Sequence, residues 1–379
     1  MASAPHRVVL HVGTPKSGTT FLQRAMWHHH AALKDQGFRC VGNRQKDAFL
    51  AAIDVRGSHE FWGYSEAHIS GRWSAVCRQA REYPGTSIIS HEVLGASSPD
   101  QVERALAELE GVDLHLVLTA RDLARQVTSE WQERVKNGSS RSFAKFERRL
   151  RRQMRSGDFT AGFWRNQDPV GILDRWAAGL PASHVHVVVS PPSASDPTLL
   201  WRRFAEAVGF DPTDIDPRMS GEAANTTLGV AQIAVLRRVN LALRGRIKQP
   251  HYARLVKSQF AEKLLAGQSS PRPQCPPGLA ERLHRVAEQR NETLRERGYV
   301  VHGDLEELLP VVSSGEYRSP DNVDRREERI AYSGALAELL VQQAEQVKRP
   351  ALPVLQEDSP GGDRLRRLGS RLGLRRGRS

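Results

Sequence analysis

Residues 11–20 read His11-Val12-Gly13-Thr14-Pro15-Lys16-Ser17-Gly18-Thr19-Thr20, after the apolar run Val8-Val9-Leu10 and before a segment with helical spacing of apolar residues. The pattern predicts a strand, a tight turn and a helix. Gly13 and Gly18 allow the backbone to curl and approach an anion closely, and Thr19 and Thr20 stand at the helix start. There, unpaired N–H groups and the positive end of the helix dipole favour phosphate. A two-glycine turn alone also fits a purely structural connection; Lys16 and the paired threonines favour an anion cradle.

The glycine spacing fits the first half of a Walker A loop, but the Lys expected after the second glycine is Thr19, and Lys16 lies inside the loop instead. That departure argues against an ordinary ATP or GTP site. The run Pro15-Lys16-Ser17-Gly18-Thr19-Thr20 instead resembles the opening loop of sulfotransferases. The resemblance implies that this loop grips the 5′-phosphosulfate end of 3′-phosphoadenosine 5′-phosphosulfate (PAPS), the activated sulfate donor. It further implies an α/β fold with a P-loop-like parallel sheet flanked by helices and a helical C-terminal part.

Working outward, Phe21, Leu22, Ala25, Met26, His29 and Leu33 repeat at helical spacing as far as Gly37. His28-His29-His30 does not have the i, i+4 spacing that places two ligands on one helix face, and no metal is expected. Residues 43–83 mix aromatics with Gly, Ser and charges in broken periodicity. They predict loops and short helices walling a cleft, although any one of those rings equally suits the core.

Thr86–Ser90 predicts a second strand, followed at once by His91 and Glu92. A helix from Pro99 to Glu110 and a third strand from Asp113 to Leu118 come next. That strand runs into Arg121, with Ser129 eight residues on, and the pair matches the second sulfotransferase signature in kind and spacing. By resemblance these two bind the donor's 3′-phosphate. Residues seven or eight apart return to one helix face, so a guanidinium and a hydroxyl can converge there.

The basic amphipathic segment 142–156 reads as a solvated face or as a rim attracting an anion or a membrane surface. His184–Val189 predicts a fourth strand and Leu199–Val208 another helix. This alternation signals a parallel sheet covered on both faces. Asn225 or a following threonine is the expected cap of a helix through Val230, Ile233, Leu236 and Val239. Residues up to about Leu309 resemble the helical C-terminal part of bacterial sulfotransferases.

The expected division is a sulfotransferase domain over 1–312, a helical extension over 313–348 and a flexible basic tail over 349–379. The tail interleaves Arg364, Arg366, Arg367, Arg371, Arg375 and Arg376 with leucines. It suits a solvated tail, an anionic membrane or a polyanionic partner. The formal charge of +12, mostly from Arg, implies anionic partners of some kind. No apolar run reaches the roughly 18 residues of a membrane span. Cys40, Cys77 and Cys275 show neither a disulfide framework nor zinc spacing. The expectation is a cytoplasmic protein, with the tail offering contact to the inner membrane face.

The resemblance implies in-line sulfuryl transfer from PAPS to an acceptor hydroxyl or amine, without a metal. Lys16 would stabilise the leaving phosphate, aided by backbone and hydroxyl donors from Ser17, Gly18, Thr19 and Thr20. Glu92 is the favoured general base and His91 the runner-up; neighbours on a chain point apart, so one of the two is expected to face the cleft. A small molecule, a glycan or a lipid would suit as acceptor, and no specific nucleic acid is expected. Trp131 and Trp164 are candidates to stack on adenine or to fill the core. A P-loop small-molecule kinase and an inactive nucleotide-binding scaffold are the rival readings.

Overall fold

The computed structural model describes residues 6–192, 195–218, 227–312 and 315–346. Six strands, β1 (Arg7–His11), β2 (Phe38–Cys40), β3 (Thr86–Ser90), β4 (Asp113–Ala120), β5 (Val185–Val189) and β6 (Val300–His302), form one sheet. Their order is β2-β3-β1-β4-β5-β6 and every pairing is parallel. Helices flank the sheet, as the alternating pattern predicts.

The hydrophobic text of β1 explains its central place. Val8, Val9 and Leu10 are wholly buried. Alternate residues face opposite sides of a strand: Val8, Leu10 and Val12 join one apolar cluster with Leu116, Leu118 and Trp176, and Val9 joins another with Met26, Val117 and Phe204. Each such side chain withdrawn from water contributes about 1.5–3 kcal/mol, so a strand apolar on both faces is held in the middle of the sheet. The chain builds outward from β1 to β2 and β3 on one side, then crosses to β4 on the other. The C-terminal end of β1 therefore lies at the switch between the two halves, where ligand crevices form.

Two strands have no counterpart in the sequence reading. β2 and β6 have three residues each, too few to display alternation. β6 lies within the C-terminal part, which is otherwise helical (Val230–Leu243, Ala253–Leu265, Pro277–Glu296 and Arg325–Gln346). An Arg203 fork steadies the connection after β6, reaching Glu307 at 2.6 and 2.9 Å and the Val189 carbonyl at 2.9 Å.

Several other boundaries also differ. The first predicted helix divides into α1 (Thr19–His28) and a second piece, His30–Asp35. Residues 43–83 hold the expected loops and short helices, Glu60–Trp62 and Glu66–Ile69, together with two helices of eleven residues, Gln45–Val55 and Arg72–Glu82. Trp73 from this region is core, whereas Phe49, Phe61 and Trp62 reach a cavity. The Val230–Leu243 helix is capped at Gly229, with no side-chain cap, rather than at Thr227; Asn225 and Thr226, the other predicted caps, lie outside the described residues, as does the basic tail. The backbone separates into a unit over Met1–Ala335, which holds the sheet, and a unit over Leu336–Ser379, whose described residues are helical. No helix among the described residues is long and apolar enough to cross a membrane.

Candidate active site

The turn after β1 takes the tight path its glycines permit. Gly13, Lys16 and Gly18 have φ of 117°, 68° and 98°. A side chain at Gly18 would also collide with Leu200. For Lys16 the left-handed conformation costs about 1–2 kcal/mol relative to an ordinary one, so the loop has to be held from outside.

That hold comes from β4 and the helix after it, Leu123–Lys136. The Thr14 N–H donates to the Thr119 carbonyl at 2.6 Å, and the Thr119 N–H to the Gly13 carbonyl at 2.6 Å. Gln126 Nε2 donates to Thr14 Oγ1 and to the Pro15 carbonyl, each at 3.0 Å. Arg121 Nη1 donates to the Lys16 carbonyl at 2.8 Å. α1 begins directly after Gly18 with no side-chain cap, so no capping side chain competes with an anion for its first N–H groups.

Ser17 differs from expectation. Its hydroxyl turns inward, donating to the Thr14 carbonyl at 2.6 Å and meeting Thr119 Oγ1 at 2.5 Å. Its side chain thus braces the loop rather than facing a ligand. Thr119 Oγ1 also meets His11 Nε2 at 3.2 Å, and His11 Nδ1 meets Ser90 Oγ at 2.8 Å. Complete burial, slightly modified by Glu92 and His91, draws His11 down to about 4, so it is a neutral strut.

One cavity of about 1680 Å³ opens above the sheet's C-terminal edge. Pro15, Lys16, Gly18, Thr19 and Thr20 line it from the loop, and Arg121 and Ser129 from the next crossover. His91 and Glu92 both face it, contrary to the expectation that only one would. At this point the strand ends and a 3₁₀ turn begins (Glu92–Ala96), so the strand's alternation no longer applies.

The two differ in protonation. His91 Nδ1 accepts the Val93 N–H at 3.2 Å, which places any single ring proton on Nε2. Burial lowers its basicity, partly offset by Glu92. For Glu92, burial would raise the carboxyl, but His91, its own backbone N–H and Gln23 outweigh it and hold it below its ordinary value. Gln23 Nε2 donates to Glu92 Oε2 at 2.9 Å, fixing the carboxylate's orientation.

Arg121 is drawn down to about 10 by burial and by neighbouring Arg125, and stays a cation at neutral pH. Its Nε is buried without a hydrogen-bond partner. A guanidinium so placed is short of acceptors, as a phosphate-binding group without phosphate would be.

The sequence reading missed the ion cluster beside Lys16. Lys16 Nζ lies 2.7 Å from Glu133 Oε2, Lys257 Nζ 2.6 Å from Glu133 Oε1, and Lys136 Nζ 3.4 Å from Oε2. Glu133 stands one turn beyond Ser129 on the same helix face, a spacing visible in the sequence; nothing local signals Lys257. Trp131 and Trp164 are packed in the core, Trp131 edge-on to Phe143 and Trp164 edge-on to Phe159 and Phe163. Trp131 also borders the cavity.

Among the described residues, Asp113, His115 and His184 bring metal-ligand atoms within 4.8 Å of one another. They lie at the opposite edge of the sheet, and the rings of His115 and His184 stack 12° from parallel, so their lone pairs do not point at one centre.

No protein-family model and no curated protein matches the chain. Among solved structures, a sulfotransferase from Alicyclobacillus acidocaldarius aligns over 66% of this chain and 99% of its own, at 15% identity and a TM-score of 0.38. A likeness this remote carries no argument about chemistry, which lives in side chains.

Proposed function

We propose that this chain is a sulfotransferase that moves a sulfuryl group from PAPS to an acceptor hydroxyl or amine. The observation that carries the reading is the convergence of two separate signatures, Pro15–Thr20 and Arg121 with Ser129, on one cavity that also holds Glu92. Pockets for single drug-sized ligands run to about 300–1,000 Å³, and this cavity has room for a donor and an acceptor together.

In this reading the uncapped start of α1 and the Lys16 ammonium hold the donor's 5′ end, and Arg121 with Ser129 holds its 3′-phosphate. The acceptor oxygen or nitrogen attacks sulfur in line. The bond from sulfur to the bridging oxygen breaks, its electron pair stays on the departing phosphate, and the acceptor's proton passes to Glu92. Lys16 and the α1 N–H groups stabilise charge as it builds on the leaving group, the kind of preorganised electrostatics that dominates such transfers. Glu92 suits the base role because it is ionised and oriented by Gln23.

A kinase reading is less well served. Asp122, the carboxylate that follows β4, is buried and caps the Leu123–Lys136 helix through the Ala124 and Arg125 N–H groups, and it is absent from the cavity wall. The test is calorimetric binding of adenosine 3′,5′-bisphosphate against ADP, with Lys16→Ala and Arg121→Ala alongside. Preference for the 3′-phosphate, lost with Arg121, is the expected result; equal binding of the two nucleotides would remove the donor assignment.

A further inference from the structure

Three ammonium groups close on one carboxylate at 2.6, 2.7 and 3.4 Å, and they come from three different parts of the chain. Lys16 belongs to the loop after β1, Lys136 to the last turn of the Leu123–Lys136 helix, and Lys257 to the Ala253–Leu265 helix. A surface ion pair needs one partner. Three cations around one anion, at the mouth of an anion cradle, carry more positive charge than that anion neutralises. Glu262 takes part of the excess, 3.1 Å from Lys136.

Resting on the donor reading above, we propose that Lys16, Lys136 and Lys257 form one seat for the oxyanions at the donor's 5′ end, and that the Glu133 carboxylate fills this seat until the donor displaces it. Lys136 and Lys257 are thereby added to the binding site, and Glu133 is a tethered competitor rather than a ligand. Its place beside Lys16 explains why the two anions exclude each other. Glu133 Oε2 already lies 2.7 Å from the Lys16 ammonium, so an oxyanion drawn to that ammonium is brought up against the carboxylate, where like charges repel.

Protonation is no escape. Burial favours the neutral acid, but Lys16, Lys136 and Lys257 hold the carboxyl far below the usual carboxylate range. The seat must be freed by movement. The Glu133 side chain is 22% exposed at the cavity wall, which leaves a path towards solvent. Asn137, which Lys257 also contacts at 3.2 Å and which donates to Glu133 Oε1 at 3.2 Å, keeps Lys257 near the seat as the carboxylate leaves.

The test compares wild type, Glu133→Gln and Glu133→Gln/Lys257→Ala by calorimetry with two probes, adenosine 3′,5′-bisphosphate and inorganic pyrophosphate, with ADP and Arg121→Ala as controls for the donor reading, after circular dichroism shows each variant folded. Glutamine keeps the shape and removes the competing charge. Binding of both probes should tighten about tenfold in Glu133→Gln and fall back when Lys257 is also removed. Unchanged or weaker binding in the folded Glu133→Gln protein would overturn the proposal, since Glu133 would then be aligning the lysines for the anion. The two readings fail separately. Tighter pyrophosphate binding without preference for the bisphosphate over ADP keeps the seat and rejects the donor. Arg121-dependent preference for the bisphosphate without tightening keeps the donor and rejects the seat.

Discussion

The Arg121 guanidinium donates to the Lys16 main-chain carbonyl at 2.8 Å, joining two signatures that lie 105 residues apart in sequence. The contact makes Arg121 both a cavity cation and the clasp that holds Lys16 at φ of 68°.

Removing that clasp should therefore do two things at once. Arg121→Ala is expected to weaken adenosine 3′,5′-bisphosphate about a hundredfold while leaving ADP within a fewfold of wild type. Arg121→Lys restores charge but not the fork, and should recover only part of the loss. Calorimetry on the three proteins decides it; equal losses for both nucleotides would show that loop support, not 3′-phosphate contact, is the role of Arg121.

Glu92→Gln should lower the rate of sulfuryl transfer by about 10²–10⁴ with bisphosphate binding retained. His91→Ala should cost less. Because Glu92 is held below its ordinary carboxyl value, kcat/KM should show no acid limb in the neutral range. An acid limb below the ordinary histidine value, lost in His91→Ala, would transfer the base role to His91.

The buried neutral His11 makes stability depend on pH. Its folded value is drawn from 6.5 to about 4 by burial, so the unfolded chain takes up a proton that the folded chain refuses between those two values. Its contribution is present above pH 6.5 and is lost as pH falls towards 4, a change of up to about 3 kcal/mol. Thermal melts from neutral to mildly acid pH should show a shallower decline in His11→Asn than in wild type.

Gly18→Ala meets both an unfavourable φ and the Leu200 side chain. It should cost about 1–3 kcal/mol of stability and weaken bisphosphate binding. Adding Leu200→Ala removes the collision but not the backbone cost, so the double variant should regain only part of the binding. Full recovery would assign the whole effect to crowding.

The sequence by itself determined what local pattern can carry. The apolar run before Gly13, the glycine positions and the helical repeat from Phe21 define a strand, turn and helix, because each is set by residues within a turn or two of one another. The alternation of such units dictates a parallel sheet, and Arg121 with Ser129 is legible since both sit on one crossover. β2 and β6 escaped because three residues hold too little periodicity. That His91 and Glu92 both face the cavity depends on where β3 ends, which pairing with β1 decides. The inward turn of Ser17 depends on Thr119, 102 residues away. Only the tertiary structure gathers Lys16, Lys136 and Lys257 around Glu133. Ionic attraction acts through space, and the spacing of these four residues along the chain bears no relation to the 2.6–3.4 Å that separates their charges.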